Sequence, residues 1–253
     1  MKLALLGYGR MGHEVEVAAR ARDHEVAVAL DVDNNAGGAG IVEETFRGVD
    51  AAIDFSHADA VYDNLDGATR LGVPLVIGTT GWNDRIDELR ALAEERDGAV
   101  VYAANFSVGA NLFFRLVDHA VRLFEPFEDY DPYVFEHHHR DKVDAPSGTA
   151  LRLARLVTAA SSRKQSVQAG NPEGAIARDA LHVASLRAGA AFGEHVVGFD
   201  GSADTIKLEH VARGRQGFAR GAVLAAEWIV GRRGFFAFDA VLDDIGAGAV
   251  DRD

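Results

Sequence analysis

Between residues 136 and 149 the chain reads Glu136-His137-His138-His139-Arg140-Asp141-Lys142-Val143-Asp144-Ala145-Pro146-Ser147-Gly148-Thr149, a concentration of proton donors and cations in an acidic sequence. The sequence holds only four lysines, Lys2, Lys142, Lys164 and Lys207, and one of them stands four residues after His138. At that spacing one helical turn or a tight loop aims both side chains at a single ligand, the imidazole titrating near neutrality and the ammonium supplying charge and a proton. Ser147-Gly148-Thr149 then opens a helix and offers N–H groups to a carboxylate. The pattern is that of a loop that protonates a bound anion. The plainer readings are a solvated turn and an imidazole metal site. Three consecutive histidines cannot all face one way, and no complementary carboxylate–histidine spacing follows, so no metal is expected.

A second candidate site lies near the start. Gly7-Tyr8-Gly9-Arg10-Met11-Gly12 follows an apolar run, Lys2 to Leu6, and precedes Val15, Ala18 and Ala19 at helical spacing. A Gly-x-Gly-x-x-Gly turn alone is weak, but between a strand and a helix it brings backbone N–H groups close to a pyrophosphate. Gly7, Tyr8, Gly9, Arg10, Met11 and Gly12 are therefore expected to hold a dinucleotide. Asp31 closes the next apolar run, Glu25 to Leu30, where a carboxylate accepts from ribose hydroxyls and repels a 2′-phosphate. NADH is the expected cofactor, with Arg10 in reach of a phosphate should NADPH bind instead.

Two further turns fall where open parallel sheets hold their ligands. Gly78-Thr79-Thr80-Gly81 follows Pro74 to Ile77, and Ala104-Asn105-Phe106-Ser107 closes the run from Val100. Gly78, Thr79, Thr80, Ala104, Asn105 and Phe106 are expected on the nicotinamide side, because a carboxamide needs Asn, Thr or backbone partners. Helix N-capping is the plainer use of the Thr and Ser residues.

The scaffold for these turns is legible as alternation. Strands are expected at residues 2–6, 25–30, 51–55, 74–77 and 100–104, with helices after the glycine turn, at 58–71 and at 85–96. Such alternation implies a parallel sheet with helices on both faces. A domain boundary falls near Asn105 to Asn111. Beyond it, helices are expected at about 111–123, 149–159, 219–230 and 240–245. From His182 to His210, Val183, Leu186, Val196, Val197, Ile206 and Leu208 alternate among polar residues, as half-buried antiparallel strands do. There Arg187-Ala188-Gly189 and Gly193-Glu194-His195 read as structural or oligomer-related turns.

Composition narrows the function classes. A chain of 253 residues, 48% hydrophobic and 26% charged, folds as one large domain or two modest ones. No apolar run approaches the roughly 20 residues needed to span a bilayer. The formal charge of −13 repels nucleic acid and anionic membranes, so neither is an expected partner. Cysteine is absent, which excludes disulfides and thiolate metal sites. Redox chemistry then requires a bound cofactor, and with no signal peptide in view the expected location is cytoplasmic.

Taken together, the motifs resemble the 4-hydroxy-tetrahydrodipicolinate reductase family, the dihydrodipicolinate reductases of bacterial lysine and diaminopimelate biosynthesis. The likeness runs through Gly7 to Gly12, Asp54-Phe55-Ser56, Gly78 to Gly81, Ala104 to Ser107, His138 to Thr149 and Arg187 to His195. Its specific part is His138-His139-Arg140-x-Lys142-x-Asp144-Ala145-Pro146-Ser147-Gly148-Thr149; His137 adds a third histidine, so His138 is identified by counting four back from Lys142. The resemblance implies that His138 is the catalytic histidine and Lys142 the proton donor. It implies that His139, Gly148 and Thr149, with Ser147 beside them, meet the substrate carboxylates and that Arg140 shapes the same pocket. It further implies NAD(P)H-dependent reduction of a small dicarboxylate, 4-hydroxy-tetrahydrodipicolinate, to tetrahydrodipicolinate. The implied fold is α/β. Residues 1–107 and 217–253 form a Rossmann-like dinucleotide-binding domain with a parallel sheet completed by C-terminal helices, and 108–216 an inserted mixed α/β substrate and oligomerisation domain that builds a homotetramer. Two rival readings are a related amino-dicarboxylate dehydrogenase and a sensor that binds NAD(H) without turnover.

Overall fold

A computed structural model describes residues 1–250, with side chains through residue 248. In chain order the elements are β1 (Lys2–Leu6), α1 (Arg10–Arg20), β2 (Glu25–Leu30), β3 (Ala51–Asp54), α2 (Val61–Arg70), β4 (Leu75–Ile77), α3 (Ile86–Glu95) and β5 (Ala99–Tyr102). There follow α4 (Val108–Phe124), β6 (Asp131–His138), α5 (Gly148–Ala160), β7 (Ser166–Ala169), β8 (Ala180–Arg187), β9 (Gly193–Asp200) and β10 (Thr205–Ala212). The chain closes with α6 (Gln216–Ile229), β11 (Gly234–Ala237) and α7 (Phe238–Val250). Two compact units result, Met1–Val108 with the chain from Arg215 onward, and Gly109–Gly214.

In the first unit six strands pair in the order β11-β5-β4-β3-β1-β2, every pairing parallel. Parallel neighbours need long crossovers, and helices supply them. Strands β1, β3 and β4 are buried on both faces, which is why they read as unbroken apolar runs. Leu3, Leu5, Ile53, Val76 and Val101 pack with Val15 and Ala19 of α1 and with Ala222, Val223 and Ile229 of α6. On the other face Ala4, Leu6, Leu75, Ile77 and Val100 pack with Leu65 of α2 and Leu89 of α3. All the C-terminal ends of these strands therefore open on one edge of the sheet, where ligands bind in this architecture.

In the second unit the order is β10-β9-β6-β8-β7. The expected antiparallel sheet is corrected here: β9 pairs antiparallel with β6 and β10, whereas β8 runs parallel to both β6 and β7. The reason is connectivity, since in the chain α5 and β7 lie between β6 and its parallel neighbour β8 and supply the long crossover that parallel pairing needs. Helices α4 and α5 cover one face, with Phe113, Phe114, Val117, Leu153 and Val157 against Val134, Val183, Val197 and Phe199.

Three strands escape the sequence reading. Strand β6 alternates strictly, but its inward positions are Pro132, Val134, Glu136 and His138, so the apolar signal stops where the strand enters the site. Strand β7 is exposed along its length, and β11 is a four-residue edge strand behind Gly231 and two arginines. Among the described residues no helix is long and apolar enough to cross a membrane.

Candidate active site

The first unit builds its site at the β1–α1 turn. Gly7 has φ +86°, and a Cβ there would lie 2.4 Å from the Phe55 carbonyl oxygen, so only glycine fits. A Cβ on Gly12 would lie 2.5 Å from the Gly7 carbonyl oxygen, which lets α1 start directly against the turn. Gly9 differs: it N-caps α1 in an extended conformation without a side-chain cap, and a Cβ there would meet nothing within 4 Å. The N–H groups that open α1 thus face open space at the positive end of the helix dipole, a cradle suited to phosphate.

Two clefts adjoin this turn. One, of about 270 Å³, is lined by Gly7, Asp31, Asn35, His57 and Asn64 among others. The second, of about 220 Å³, is lined by Met11, Phe55, Gly78, Ala104, Asn105, Phe106 and Phe218. Beneath them lies Asp54 at the end of β3, fully buried, accepting from Ser56 N–H (2.8 Å), Ser56 Oγ (2.6 Å), Asn64 Nδ2 (2.9 Å) and Thr79 Oγ1 (2.8 Å). One carboxylate so fixes the Gly78–Gly81 turn and the first turns after β3, and four donors offset the cost of burying it.

The expected cofactor residues divide accordingly. Gly7 and Asp31 share the first cleft; Met11, Gly78, Ala104, Asn105 and Phe106 share the second. The Thr79 hydroxyl is committed to Asp54, the Tyr8 phenol donates to Glu16 and stacks on His13, and Arg10 and Thr80 are exposed. Sequence reasoning passed over Asn35, His57, Asn64 and Phe218, which carry no spacing signal of their own.

The second unit gathers the histidine segment around Glu136. Residues two apart on a strand share a face, so Glu136 and His138 both point inward and are 0% and 7% exposed. Glu136 Oε1 accepts from Ser147 N–H (2.9 Å), Ser185 Oγ (2.7 Å) and Arg187 Nη2 (2.7 Å). Its Oε2 lies 3.1 Å from His138 Nδ1 and 3.7 Å from Nε2 of His195, which stands opposite Glu136 in the β6–β9 register. Burial works to raise the Glu136 pKa, but the hydrogen bonds from Ser147, Arg187 and Ser185 outweigh it and hold the carboxyl at about 2. Burial, reinforced by His138, drives His195 down to about 4. Burial also lowers His138, partly opposed by Glu136 and reinforced by Lys142 and Arg187.

Two expectations are corrected by this cluster. Arg187 and His195 are not surface turns; both close on Glu136, and Arg187 Nη2 also donates to the Asp144 carbonyl at 2.6 Å, pinning the loop that carries Lys142. The sequence reading also found no carboxylate–histidine complement, yet Glu136, His138 and His195 bring three ligating atoms within 4.8 Å of one another, because β9 supplies a partner 57 positions downstream.

Lys142 stands in a loop rather than a helical turn, its backbone N–H donating to His139 O at 3.2 Å and its Nζ 2.7 Å from Asp144 Oδ1. His139 is anchored by its N–H to Ala191 O at 2.7 Å, leaving its ring half-buried, and the Arg140 side chain is exposed. His137 points away from the cluster, with Nε2 3.0 Å from Ala188 O. Ser147 departs from its expected role: it is 2% exposed, its N–H is spent on Glu136 and its Oγ accepts from Ala150 N–H as the cap of α5. Gly148 and Thr149 head the helix instead, with open space beside Gly148. The arrangement offers a carboxylate ligand a helix N-terminus, an ammonium and an imidazole.

Residues 1–106 match the family model described as dihydrodipicolinate reductase, N-terminus, and residues 109–242 the model for its C-terminus. The chain is 37% identical over 245 residues to a 4-hydroxy-tetrahydrodipicolinate reductase of Christiangramia forsetii, covering 97% of this chain and 99% of that protein. Among solved structures, a dipicolinate-bound dihydrodipicolinate reductase from Paenisporosarcina sp. TG-14 superposes with a TM-score of 0.74 at 22% identity, over 94% of this chain and 97% of the other. A diaminopimelate dehydrogenase of C. glutamicum shares the fold at a TM-score of 0.51 and 14% identity, over 100% and 99% of the two chains.

Proposed function

The chain belongs to the dihydrodipicolinate reductase family, and from that premise we propose how its own residues reduce 4-hydroxy-tetrahydrodipicolinate to tetrahydrodipicolinate. It is an oxidoreductase of lysine and diaminopimelate biosynthesis that uses a nicotinamide cofactor. Family membership disfavours both rival readings, the sensor and the amino-dicarboxylate dehydrogenase.

The first unit holds the dinucleotide. The N–H groups at the start of α1, beside the open space at Gly9, take the pyrophosphate; Gly7, Tyr8, Arg10, Met11 and Gly12 shape that turn. Asp31 accepts from the adenosine ribose and by its charge selects NADH over NADPH. The turns at Gly78, Thr79 and Thr80 and at Ala104, Asn105 and Phe106 receive the nicotinamide. When bound, the reduced nicotinamide supplies the hydride.

The second unit holds the substrate. Gly148 and Thr149 present N–H groups to one carboxylate, with His139 and Arg140 around it and Ser147 keeping α5 in place. Water is lost from the 4-hydroxyl substrate, hydride adds to the electrophilic ring carbon, and Lys142 delivers the matching proton to the developing negative charge, with His138 beside it. The single observation that carries this reading is the convergence of His138, Lys142 and the α5 N-terminus on one segment of the second unit. Titrating the protein with dipicolinate tests it: binding should weaken at least tenfold in Thr149→Val and Lys142→Ala, and unchanged affinity in both would contradict it.

We also assign a homotetramer, built through the uncovered face of the second sheet. Helices cover one face, while Tyr133, Phe135, His182, Ala184, Glu194 and Val196 line a groove of about 410 Å³ on the other. A cytoplasmic location fits a cysteine-free chain acting on a small metabolite.

A further inference from the structure

The reaction leaves Glu136 without a part, although His138 of its own strand and Ser147, Ser185, Arg187 and His195 from three other segments of the second unit converge on it. We propose that Glu136 is a positioning residue for His138, holding the ring through Nδ1 so that Nε2 is the nitrogen presented to bound substrate. The inference deepens the catalytic reading of His138 and rests on it for its kinetic consequence alone.

Four observations carry it. Glu136 Oε2 and His138 Nδ1 are both buried, neither has a well-aligned hydrogen bond, and they lie 3.1 Å apart. Catalytic hydrogen bonds are commonly bent in a free enzyme and tighten when substrate binds. The other oxygen is fully engaged by Ser147, Ser185 and Arg187, so the carboxylate cannot turn and Oε2 must face the ring. On the far side of the ring a Cβ on Gly193 would stand 3.0 Å from His138 Nε2, closer than ordinary van der Waals contact, so a glycine there keeps a side chain from crowding that nitrogen. Finally, the charge around the trio of ligating atoms favours a proton over a divalent cation, because Arg187 pairs with Glu136 and Lys142 adds a second positive charge to the field at His138.

A neutral imidazole carries its proton on the nitrogen whose neighbour accepts it. Beside Oε2 that nitrogen is Nδ1. In Glu136→Gln the amide oxygen keeps the three donors now on Oε1, which turns the NH2 group toward His138. An NH2 donates, so the ring must move its proton to Nε2.

The test is nitrogen NMR of the full chain with 15N-labelled histidine, above the pKa of His138. Wild type is expected to show His138 protonated on Nδ1, and Glu136→Gln to show it on Nε2. Turnover in Glu136→Gln should fall by roughly 100-fold or more, the usual span of a misplaced acid–base group. In a His138→Ala background the same substitution should cost less than about threefold, since the effect runs through the ring. A wild-type ring protonated on Nε2 would overturn the proposal, and that spectrum decides even if Glu136→Gln fails to fold. An equal loss with and without His138 would also overturn it. The expected tautomers in a protein that does not turn over the substrate would uphold the positioning role and sink the reductase reading instead.

Discussion

Lys142 and Asp144 form an ion pair two residues apart in one loop, Nζ to Oδ1 2.7 Å, with the lysine 23% and the aspartate 58% exposed. A pair this open to solvent is worth little, on the order of 0–1 kcal/mol. A substrate carboxylate can therefore take the place of Asp144 at small cost, and the loop stores its cation in ready form. Lys142→Ala is expected to lower turnover by about 10²- to 10⁴-fold while cofactor affinity is unchanged. Single-turnover kinetics with parallel cofactor titration measure both, and retained turnover would remove Lys142 from the mechanism.

The cofactor preference rests on Asp31. Its carboxylate follows β2, accepts the Val32 N–H at 2.9 Å and lines the first cleft, whose lining residues include no lysine or arginine. Asp31→Ser should raise kcat/KM for NADPH relative to NADH by at least tenfold, an expected effect of removing a charge beside a phosphate. Unchanged preference would mean that Asp31 does not read the ribose.

The two turn glycines should separate folding from binding. Gly9→Ala adds a methyl that meets no protein atom, so melting should be unchanged while dinucleotide affinity drops. Gly12→Ala puts a methyl 2.5 Å from a carbonyl oxygen, so it should cost stability as well, about 1–3 kcal/mol. Thermal melting and cofactor titration of the two variants report this contrast directly.

How much of this was legible follows from what each residue does. The glycine turn, Asp31 and the β4 and β5 ends were readable because each sits at the end of an apolar run, and a parallel sheet buries its strands on both faces. His138 and Lys142 stand out by chemical type and spacing, while the roles proposed for them come from the family resemblance. Glu136 was not, because it occupies a core position of β6 and its partners Ser185, Arg187 and His195 are brought beside it only by strand register. Ser147 was misread for a related reason: a serine that caps a helix and one that binds a ligand look alike until the direction of its N–H is known.

The same cluster predicts an acid sensitivity. His195 is held at about 4, below its usual 6.5, so its contribution to stability is full above pH 6.5 and is lost as pH falls toward 4. Glu136 is held at about 2, below its usual 4.5, so its contribution, about 3 kcal/mol, is full above pH 4.5 and is lost as pH falls through about 2. Melting temperature against pH should decline in two successive stages, and Glu136→Gln should flatten the lower one. A wild-type curve that stays flat from pH 6.5 to 4 would contradict the assignment for His195.

Reduction of 4-hydroxy-tetrahydrodipicolinate is read out as cofactor oxidation, followed by absorbance while a synthase generates the substrate in situ from pyruvate and aspartate semialdehyde. Oxidation should depend on both synthase substrates and be faster with NADH than with NADPH. Cofactor that binds but is oxidised in neither form when the substrate is present would contradict it.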